Sequence, residues 1–188
     1  MRTLVYVHGT NGSGKSTLAR KVATAAGGFV SVHALPDNRK ARFTLTRRTV
    51  MFAGAYGTAC GGVDGIHPYS ETLRVLRGDY SFFAEGLVTP GLETCQRMAG
   101  MFDQHLFIAL ATPLEQCVAN VQARRDRAGN TKPYDPTNLY KKQRSVDSWG
   151  KRLAEAGLQV QFLTYREAYR ASLKLLGLRP PNLKTLLE

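Results

Sequence analysis

Short apolar runs alternate along the chain with longer stretches in which apolar residues recur every three or four positions. Strands buried on both faces produce the first pattern, and amphipathic helices produce the second. The apolar runs predict strands over residues 2–8, 29–33, 43–46, 49–53, 80–84, 106–111 and 159–163. The amphipathic stretches predict helices over residues 15–26, 67–77, 90–101, 112–128 and 167–176, and a long helix that starts after residue 136.

Strands that alternate with helices are typical of an α/β fold with a mainly parallel sheet flanked by helices. The β-prone segments around Arg47-Arg48 predict a small β-hairpin inserted near residues 43–53. A length of 188 residues suits one well-buried domain. We therefore expect a single domain over residues 1–178 and a disordered tail over residues 179–188.

Two local signals complete the predicted layout. Residues 37–42 are polar and are expected to form a loop. Thr112, Pro113 and Glu115 match the first residues of a helix, with threonine as the N-cap, proline at the first helical position and glutamate at the capping-box position.

The segment between the first strand and the first helix fits the phosphate-binding pattern G-x-x-x-x-G-K-[ST]. Glycines let backbone N–H groups curl around phosphate oxygens, and the helix N-terminus adds partial positive charge. Lys15 would reach the β- and γ-phosphates, and the Ser16 hydroxyl would ligate Mg²⁺. ATP with Mg²⁺ is the predicted cofactor. Its predicted binding residues are Gly9, Thr10, Asn11, Gly12, Ser13, Gly14, Lys15, Ser16 and Thr17.

Two acidic residues are predicted to stand beside this loop. Glu85 follows the strand at residues 80–84, and an acid there would hold Mg²⁺ directly or through water. Asp64 lies in a glycine-rich segment and would accept the proton of an attacking hydroxyl, or else cap the helix that follows. Asp37 follows the second strand at the same end of the sheet and is a rival for the role of base.

Arginines accumulate at the end of the helix predicted over residues 112–128. Arg124, Arg125 and Arg127 precede a glycine, which is typical of a mobile lid that closes over a transferred phosphoryl group. The alternative is that these cations complement the negative end of the helix dipole. We predict catalytic roles for Lys15, Asp64, Glu85, Arg124 and Arg125.

The charge of the chain is unusual for an enzyme of small metabolites. The 26 Lys and Arg residues against 14 Asp and Glu give a net charge of +12, which favours a polyanionic partner such as nucleic acid. The tyrosines Tyr56, Tyr69, Tyr134 and Tyr140 are candidates for stacking on a base. The cations form two clusters along the sequence: Arg39, Lys40, Arg42, Arg47 and Arg48; and Lys132, Lys141, Lys142, Arg144, Lys151 and Arg152.

Cysteine usage and hydropathy indicate the cellular compartment in which the protein is expected to act. Cys60, Cys95 and Cys117 are widely separated and form no C-x-x-C pair, so reduced cytosolic thiols are expected rather than a zinc site. No apolar run approaches the roughly 18 residues of a membrane span. The first strand begins at once, so no signal peptide is expected and the predicted location is cytoplasmic.

Four segments in this order resemble small P-loop kinases of bacteriophages that phosphorylate 5-hydroxymethyl-deoxyuridine within DNA. They are the glycine loop at residues 9–16, the Gly54-Ala55-Tyr56 and Cys60-Gly61-Gly62-x-Asp64 segment, the strand ending at Glu85-Gly86, and the Arg124-Arg125 pair. The family pattern has glutamate and cysteine where this chain has Gly57 and Val63.

The resemblance implies a single-domain P-loop kinase, similar to nucleoside monophosphate kinases, that acts in the cytoplasm of an infected bacterial cell. It also implies transfer of the γ-phosphate of ATP to the hydroxymethyl oxygen of the base, whose phosphoester then becomes a leaving group for hypermodification. The DNA would contain a modified pyrimidine, and the base would be flipped out of the duplex.

Three other functions fit the residues. A nucleoside monophosphate kinase would act on free nucleotides and would not need the basic clusters. A polynucleotide 5′-hydroxyl kinase would act at strand ends whatever the base. A nucleotide-gated DNA-binding protein would bind DNA with a steep salt dependence but transfer no phosphate. The sequence leaves the oligomeric state open.

Overall fold

The computed structural model describes residues 1–56, 62–66, 69–86, 90–130, 132 and 134–181. Its strands are β1 (Thr3–His8), β2 (Phe29–Leu35), β3 (Asn38–Thr46), β4 (Val50–Ala53), β5 (Ser81–Gly86), β6 (Gln104–Leu110) and β7 (Val160–Leu163). Its helices are α1 (Lys15–Ala25), α2 (Tyr69–Val75), α3 (Leu92–Ala99), α4 (Leu114–Arg127), α5 (Thr137–Glu155) and α6 (Tyr165–Leu175), with a short 3-10 turn at Val63–Gly65.

The described strands form one seven-stranded sheet in the order β2-β3-β4-β5-β1-β6-β7. The five strands β4, β5, β1, β6 and β7 run parallel, whereas β3 pairs antiparallel with both β2 and β4. The predicted α/β fold with a mainly parallel sheet is therefore confirmed. Its helices lie on both faces, and the whole forms a single domain.

Each face of the sheet has its own apolar core. On one face, α2, α3 and α5 cover β1, β5 and β6, and the fully buried Trp149 packs edge-on against Phe107. On the other face, α1 and α6 cover the same strands. Helix α4 belongs to neither core, because it packs on the start of α5 through a separate small cluster that includes Cys117, Val121 and Leu139. Helix α4 is therefore tied to the sheet less extensively than the other long helices.

The region predicted as an inserted hairpin belongs to the main sheet. Residues 43–45 of β3 pair antiparallel with β4 as expected, but β3 begins at Asn38 and pairs with β2 along its other edge. The prediction of a polar loop over residues 37–42 is wrong, because most of these residues extend strand β3. The tight turn lies instead at Pro36 and Asp37.

The predicted cap of α4 is also wrong. The helix begins at Leu114, one residue later than expected, and no side chain caps it. The Thr112 hydroxyl donates a hydrogen bond to the backbone oxygen of Ser13 instead, at 2.8 Å. Thr112, which the sequence predicted as a helix cap, therefore links the start of α4 to the loop after β1.

Two remaining predictions concern the tail and membranes. Residues 182–188 of the predicted tail lie outside the described residues. Among the helices that the structure does describe, none has both the length and the apolar character needed to cross a membrane.

Candidate phosphate-transfer site

The loop between β1 and α1 lies at the centre of the carboxyl edge of the sheet. Gly12 and Gly14 both have left-handed backbone angles, with φ of 76° and 94°. A Cβ atom at Gly12 would lie 2.3 Å from the backbone oxygen of Cys117 in α4, so a side chain there would push the helix away. Asn120 of α4 donates to the Gly12 oxygen at 2.8 Å. Helix α4 therefore holds this loop in place through backbone contacts that only glycine allows.

The Lys15 side chain folds back over the loop. Its ammonium group donates to the backbone oxygens of Gly9 and Thr10, at 2.8 and 3.0 Å. Burial lowers the pKa of Lys15, while the nearby carboxylates of Glu85 and Asp64 act in the opposite direction. A buried ammonium beside oriented backbone N–H groups is a suitable seat for phosphate oxygens.

Glu85 stands directly beside this loop. It pairs with Val7 in the register of β1 and β5, and its carboxylate oxygen Oε1 accepts a hydrogen bond from the Ser16 hydroxyl at 2.9 Å. The side chain is 1% exposed, and this burial raises its pKa to about 7, although Lys15 and Ser16 oppose the change. The two oxygen donors predicted to hold Mg²⁺ are thus in contact.

Asp64 reaches the same edge by a different route. It lies in the 3-10 turn at Val63–Gly65, which rests on the end of β5. Gly62 has φ of 94°, and a Cβ atom there would lie 2.3 Å from the Glu85 backbone oxygen. At Gly86, a Cβ atom would lie 3.0 Å from Oδ1 of Asp64. Close backbone packing at glycine therefore brings the Asp64 carboxylate next to Glu85. Residues 57–61, including Cys60, lie outside the described residues.

Helix α4 closes the opposite side of a cavity of about 1000 Å³ above the loop. Arg124 and Arg127 line this cavity, together with Asp64 and Glu85. Arg125 does not, because its guanidinium lies over the Tyr134 ring and donates to the backbone oxygen of Lys132 at 2.7 Å. The structure therefore brings together four of the five predicted catalytic residues and places Arg125 outside the cavity.

Two other sequence candidates do not line the cavity. Asp37 is exposed and forms a salt bridge with Arg74 of α2 at 2.7 Å, which lowers its pKa. Tyr56 is buried against Phe29 and Phe52, so its ring is not available to stack on a base. Among the other tyrosines, Tyr134 lies under Arg125, whereas Tyr140 is 51% exposed.

Several cavity residues were not predicted from the sequence. They are Arg20, Thr112, Gln116, Asn120 and Tyr165. Asn120 and Gln116 lie four residues apart on α4, and polar residues repeated at that spacing on a helix beside the loop were a usable signal. Arg20 follows the loop by one helical turn. Tyr165 offered no signal, because its position depends on how α6 packs against α1.

The two basic clusters of the sequence are each divided between opposite ends of the sheet. Arg39 lies near the start of β3 and Arg47 just after its end, and the seven strand residues between them hold the two about 26 Å apart. On α5, Lys142 lies close enough to Lys15 to affect its pKa, whereas Lys151 lies two and a half turns further along. Arg39, Arg42, Lys132, Lys141 and Lys142 therefore lie at the edge that carries the cavity, whereas Arg47, Arg48, Lys151 and Arg152 lie at the other end.

A glycine-rich loop, a buried acid and a second acid lie at the mouth of one cavity, an arrangement typical of the phosphate-transfer sites of kinases. No protein-family model matches this chain. It is 32% identical to the 5-hmdU DNA kinase of Pseudomonas phage PaMx11, over 92% of this chain and 96% of that protein. It is 26% identical to the 5-hmdU DNA kinase of Delftia phage PhiW-14, over 82% of this chain and 65% of that relative's length. The chain belongs to the 5-hmdU DNA kinase family.

Proposed function

We propose that this protein is an ATP-dependent P-loop kinase that phosphorylates the hydroxymethyl group of 5-hydroxymethyl-deoxyuridine in DNA. The observation that carries the proposal is the contact between Ser16 and Glu85 with Asp64 beside it, because two oxygen donors suited to Mg²⁺ and a candidate proton acceptor then lie at one glycine loop. Kinship with two phage proteins named for this activity supports the choice of acceptor.

The donor side binds the triphosphate. The backbone N–H groups of residues 12–17 surround the β- and γ-phosphates, and Lys15 leaves its two backbone acceptors to contact them. Mg²⁺, held by the Ser16 hydroxyl and by Glu85 directly or through water, would supply charge neutralisation between these phosphates. The donor set fits this ion, since both side chains offer oxygen atoms and the rest of the shell would come from phosphate and water.

The acceptor side receives the hydroxymethyl group. Asp64 takes the proton from the hydroxymethyl oxygen while that oxygen forms its bond to the γ-phosphorus. The bond from the γ-phosphorus to the bridging oxygen breaks, and ADP leaves with that electron pair. Arg124 and Arg127 neutralise the charge on the transferred group and, with α4, exclude water from the cavity.

The fold suits this reaction in DNA rather than in a free nucleotide. The five parallel strands form a nucleoside monophosphate kinase-like core within residues 1–178, to which the β2–β3 pair adds width at the acceptor side. The cations at the carboxyl edge, such as Arg39, Arg42 and Lys141, would contact phosphates that flank a flipped-out base. The reaction would take place in the cytoplasm of an infected bacterial cell.

The acceptor is tested with γ-labelled ATP and three substrates: DNA that contains hydroxymethyluracil, ordinary DNA with free 5′-hydroxyl groups, and free nucleoside monophosphates. We expect label only in the first, and on the base after digestion to nucleosides. Label only at ordinary strand ends would indicate a polynucleotide 5′-hydroxyl kinase, and label only in free nucleotides would indicate a nucleoside monophosphate kinase. Tight DNA binding without any transfer would overturn the kinase proposal itself.

A further inference from the structure

A second cavity, of about 490 Å³, lies between α1 and α6 on the face of the sheet away from α5. Its cationic walls come from Lys21, Arg166, Arg170 and Lys174, and its apolar floor comes from Leu173 and Leu178. No carboxylate lines it among the residues that the structure describes, which end at residue 181. We call this cavity the α1–α6 groove. Its chemistry is that of a site for a polyanion with an apolar component.

The cations of the groove repel one another, and the compensation is only partial, since Glu167 interacts electrostatically with Arg170. Arg166, Arg170 and Lys174 follow at four-residue intervals on α6, so they form one stripe along the exposed side of the helix. Like charges at this spacing destabilise a helix by about 0.2–0.5 kcal/mol per pair. None of the three forms an ion pair with a described residue. Glu167, the acid on the same helix, accepts hydrogen bonds from Thr164 instead.

Two tyrosines add stacking surfaces to the groove. Tyr165 and Tyr169 are half-buried and line it, and the Lys21 ammonium lies 5.6 Å from the centre of the Tyr165 ring. The Tyr165 hydroxyl is buried and has no hydrogen-bond partner among the residues that the structure describes. Tyrosine beside cations is the combination by which proteins hold single-stranded nucleic acid, since bases stack on the rings while phosphates meet the charges.

The groove adjoins the site cavity, with which it shares one lining residue. Arg20 lines the site cavity and the next residue, Lys21, lines the groove, while Tyr165 lines both. Successive cations of the α6 stripe are about 6 Å apart along the helix axis, which is comparable with the separation of neighbouring phosphates in an extended strand. A strand whose base enters the site can therefore continue over α1 into the groove.

We propose that the α1–α6 groove binds a single-stranded segment of the DNA substrate that flanks the target nucleotide. The phosphates contact Lys21, Arg170 and Lys174, and a base stacks on Tyr169. This inference rests on the proposed function for the identity of the substrate, but the binding that it predicts can be measured without any phosphate transfer.

The test measures binding of the full chain to a fluorescently labelled, unmodified 20-nucleotide single strand at several salt concentrations. In the Arg170→Gln/Lys174→Gln variant, the slope of log K against log salt should shrink by about 1.4, since each lost phosphate contact removes about 0.7. Tyr169→Leu should weaken binding about fivefold or more at constant salt. The matched control is Lys151→Gln/Arg152→Gln, which removes the same charge from the end of α5 and should leave the slope close to that of the wild type.

An unchanged salt slope in the folded Arg170→Gln/Lys174→Gln variant would contradict the proposal that the groove binds DNA. An equal loss of slope in the control variant would contradict it too. Loss of binding to a duplex with none to the single strand would also contradict it. The KM for ATP should not change in the Arg170→Gln/Lys174→Gln variant or in the control variant. If the wild type fails to phosphorylate hydroxymethyluracil DNA but the groove variant binds the single strand more weakly, the groove is supported and the proposed acceptor is wrong. If the wild type does phosphorylate this DNA but the groove variant binds the strand normally, the acceptor is supported and the groove proposal is wrong.

Discussion

Both ends of the sheet carry cations, but the surroundings of these cations differ. At the carboxyl end, Lys15 and Glu85 are buried in a cavity that also contains the partly buried Asp64, and the exposed Arg124 lines the same cavity. At the amino end, Arg47 and Arg48 lie in an exposed turn whose backbone N–H groups bond to the end of α1. Net charge alone therefore does not locate a binding surface; burial and the nearby acids distinguish the two ends.

The largest expected difference between the ends concerns the acids. Asp64→Asn should lower kcat by about 10²–10⁴-fold, since the amide cannot accept the proton of the hydroxymethyl group. The affinity for ATP should stay nearly unchanged, because the phosphate loop and Ser16 remain. Rates measured on hydroxymethyluracil DNA, with ATP affinity from equilibrium binding, check both statements.

Asp79→Asn is the matched control at the amino end, because Asp79 is exposed in the turn before β5. It should leave kcat within about twofold of the wild-type value, because a change at an exposed position away from the cavity has little effect. If Asp64→Asn transferred phosphate at the control's rate, Asp64 would not be the base.

The next effect is on acid stability and compares two histidines. His8, at the carboxyl end of β1, is 1% exposed, and its ring nitrogen Nδ1 donates to the Gly86 oxygen at 3.0 Å. Burial lowers the pKa of His8 from 6.5 to about 4. The unfolded chain therefore binds a proton more readily than the folded one, and the free energy of unfolding should fall as the pH drops from 6.5 towards 4. The loss from this group is at most about 3 kcal/mol.

Denaturant unfolding at pH 7 and pH 4.5 measures this loss. His8→Asn keeps a donor for the Gly86 oxygen but cannot titrate, so its unfolding free energy should fall less between these pH values than that of the wild type. His105→Asn serves as the comparison at the amino end, where the pKa of His105 is also lowered but the side chain is only half-buried. An equal gain in acid resistance from both variants would contradict the special position of His8.

A smaller effect separates the two ends of α5. Lys141→Gln/Lys142→Gln should reduce the salt slope of DNA binding by up to about 1.8 for a duplex and raise the KM for DNA several-fold. Lys151→Gln/Arg152→Gln carries the same change in charge at the other end of the helix and should do neither. Binding and KM measured at two salt concentrations decide the point. Equal losses in both variants would mean that DNA contacts the whole length of α5.

These comparisons also show what the sequence could predict. The glycine loop between β1 and α1, the position of Glu85 near the end of a strand and the α/β architecture follow from local patterns, and the described fold agrees with them, although β5 extends past Glu85 to Gly86. Two other features depend on packing between distant segments. The Thr112 hydroxyl has an equally good local use as a helix cap, and only the approach of α4 to the loop assigns it to Ser13. Arg124 and Arg125 are neighbours in sequence, yet the 100° between successive helix residues sends one to the cavity and the other to Tyr134.

The division of the basic clusters between the two ends of the sheet could not be predicted from local sequence either. Residues 39–48 form one continuous basic segment in the sequence, and nothing local indicates that a nine-residue strand divides it. The extension of β3 back to Asn38 depends on pairing with β2, which is a contact between strands and not a property of either segment alone.

The smallest predicted effect lies at the amino end and concerns stability only. Thr49, in the turn after Arg48, has a φ of 58°, which a β-branched residue adopts at a cost. Its side chain is exposed, and its hydroxyl donates a hydrogen bond to the Arg48 backbone oxygen, at 2.7 Å. Thr49→Gly should relieve this strain and raise the free energy of unfolding by about 0.5–1 kcal/mol, after the greater flexibility of glycine in the unfolded chain is subtracted. Thermal unfolding measures the gain, and Thr24→Gly, at an exposed position inside α1, should lower stability by a similar amount. Both variants should keep the wild-type rate of phosphate transfer, because neither residue lines the cavity; a change in kcat from Thr49→Gly would mean that the amino end of the sheet influences the site.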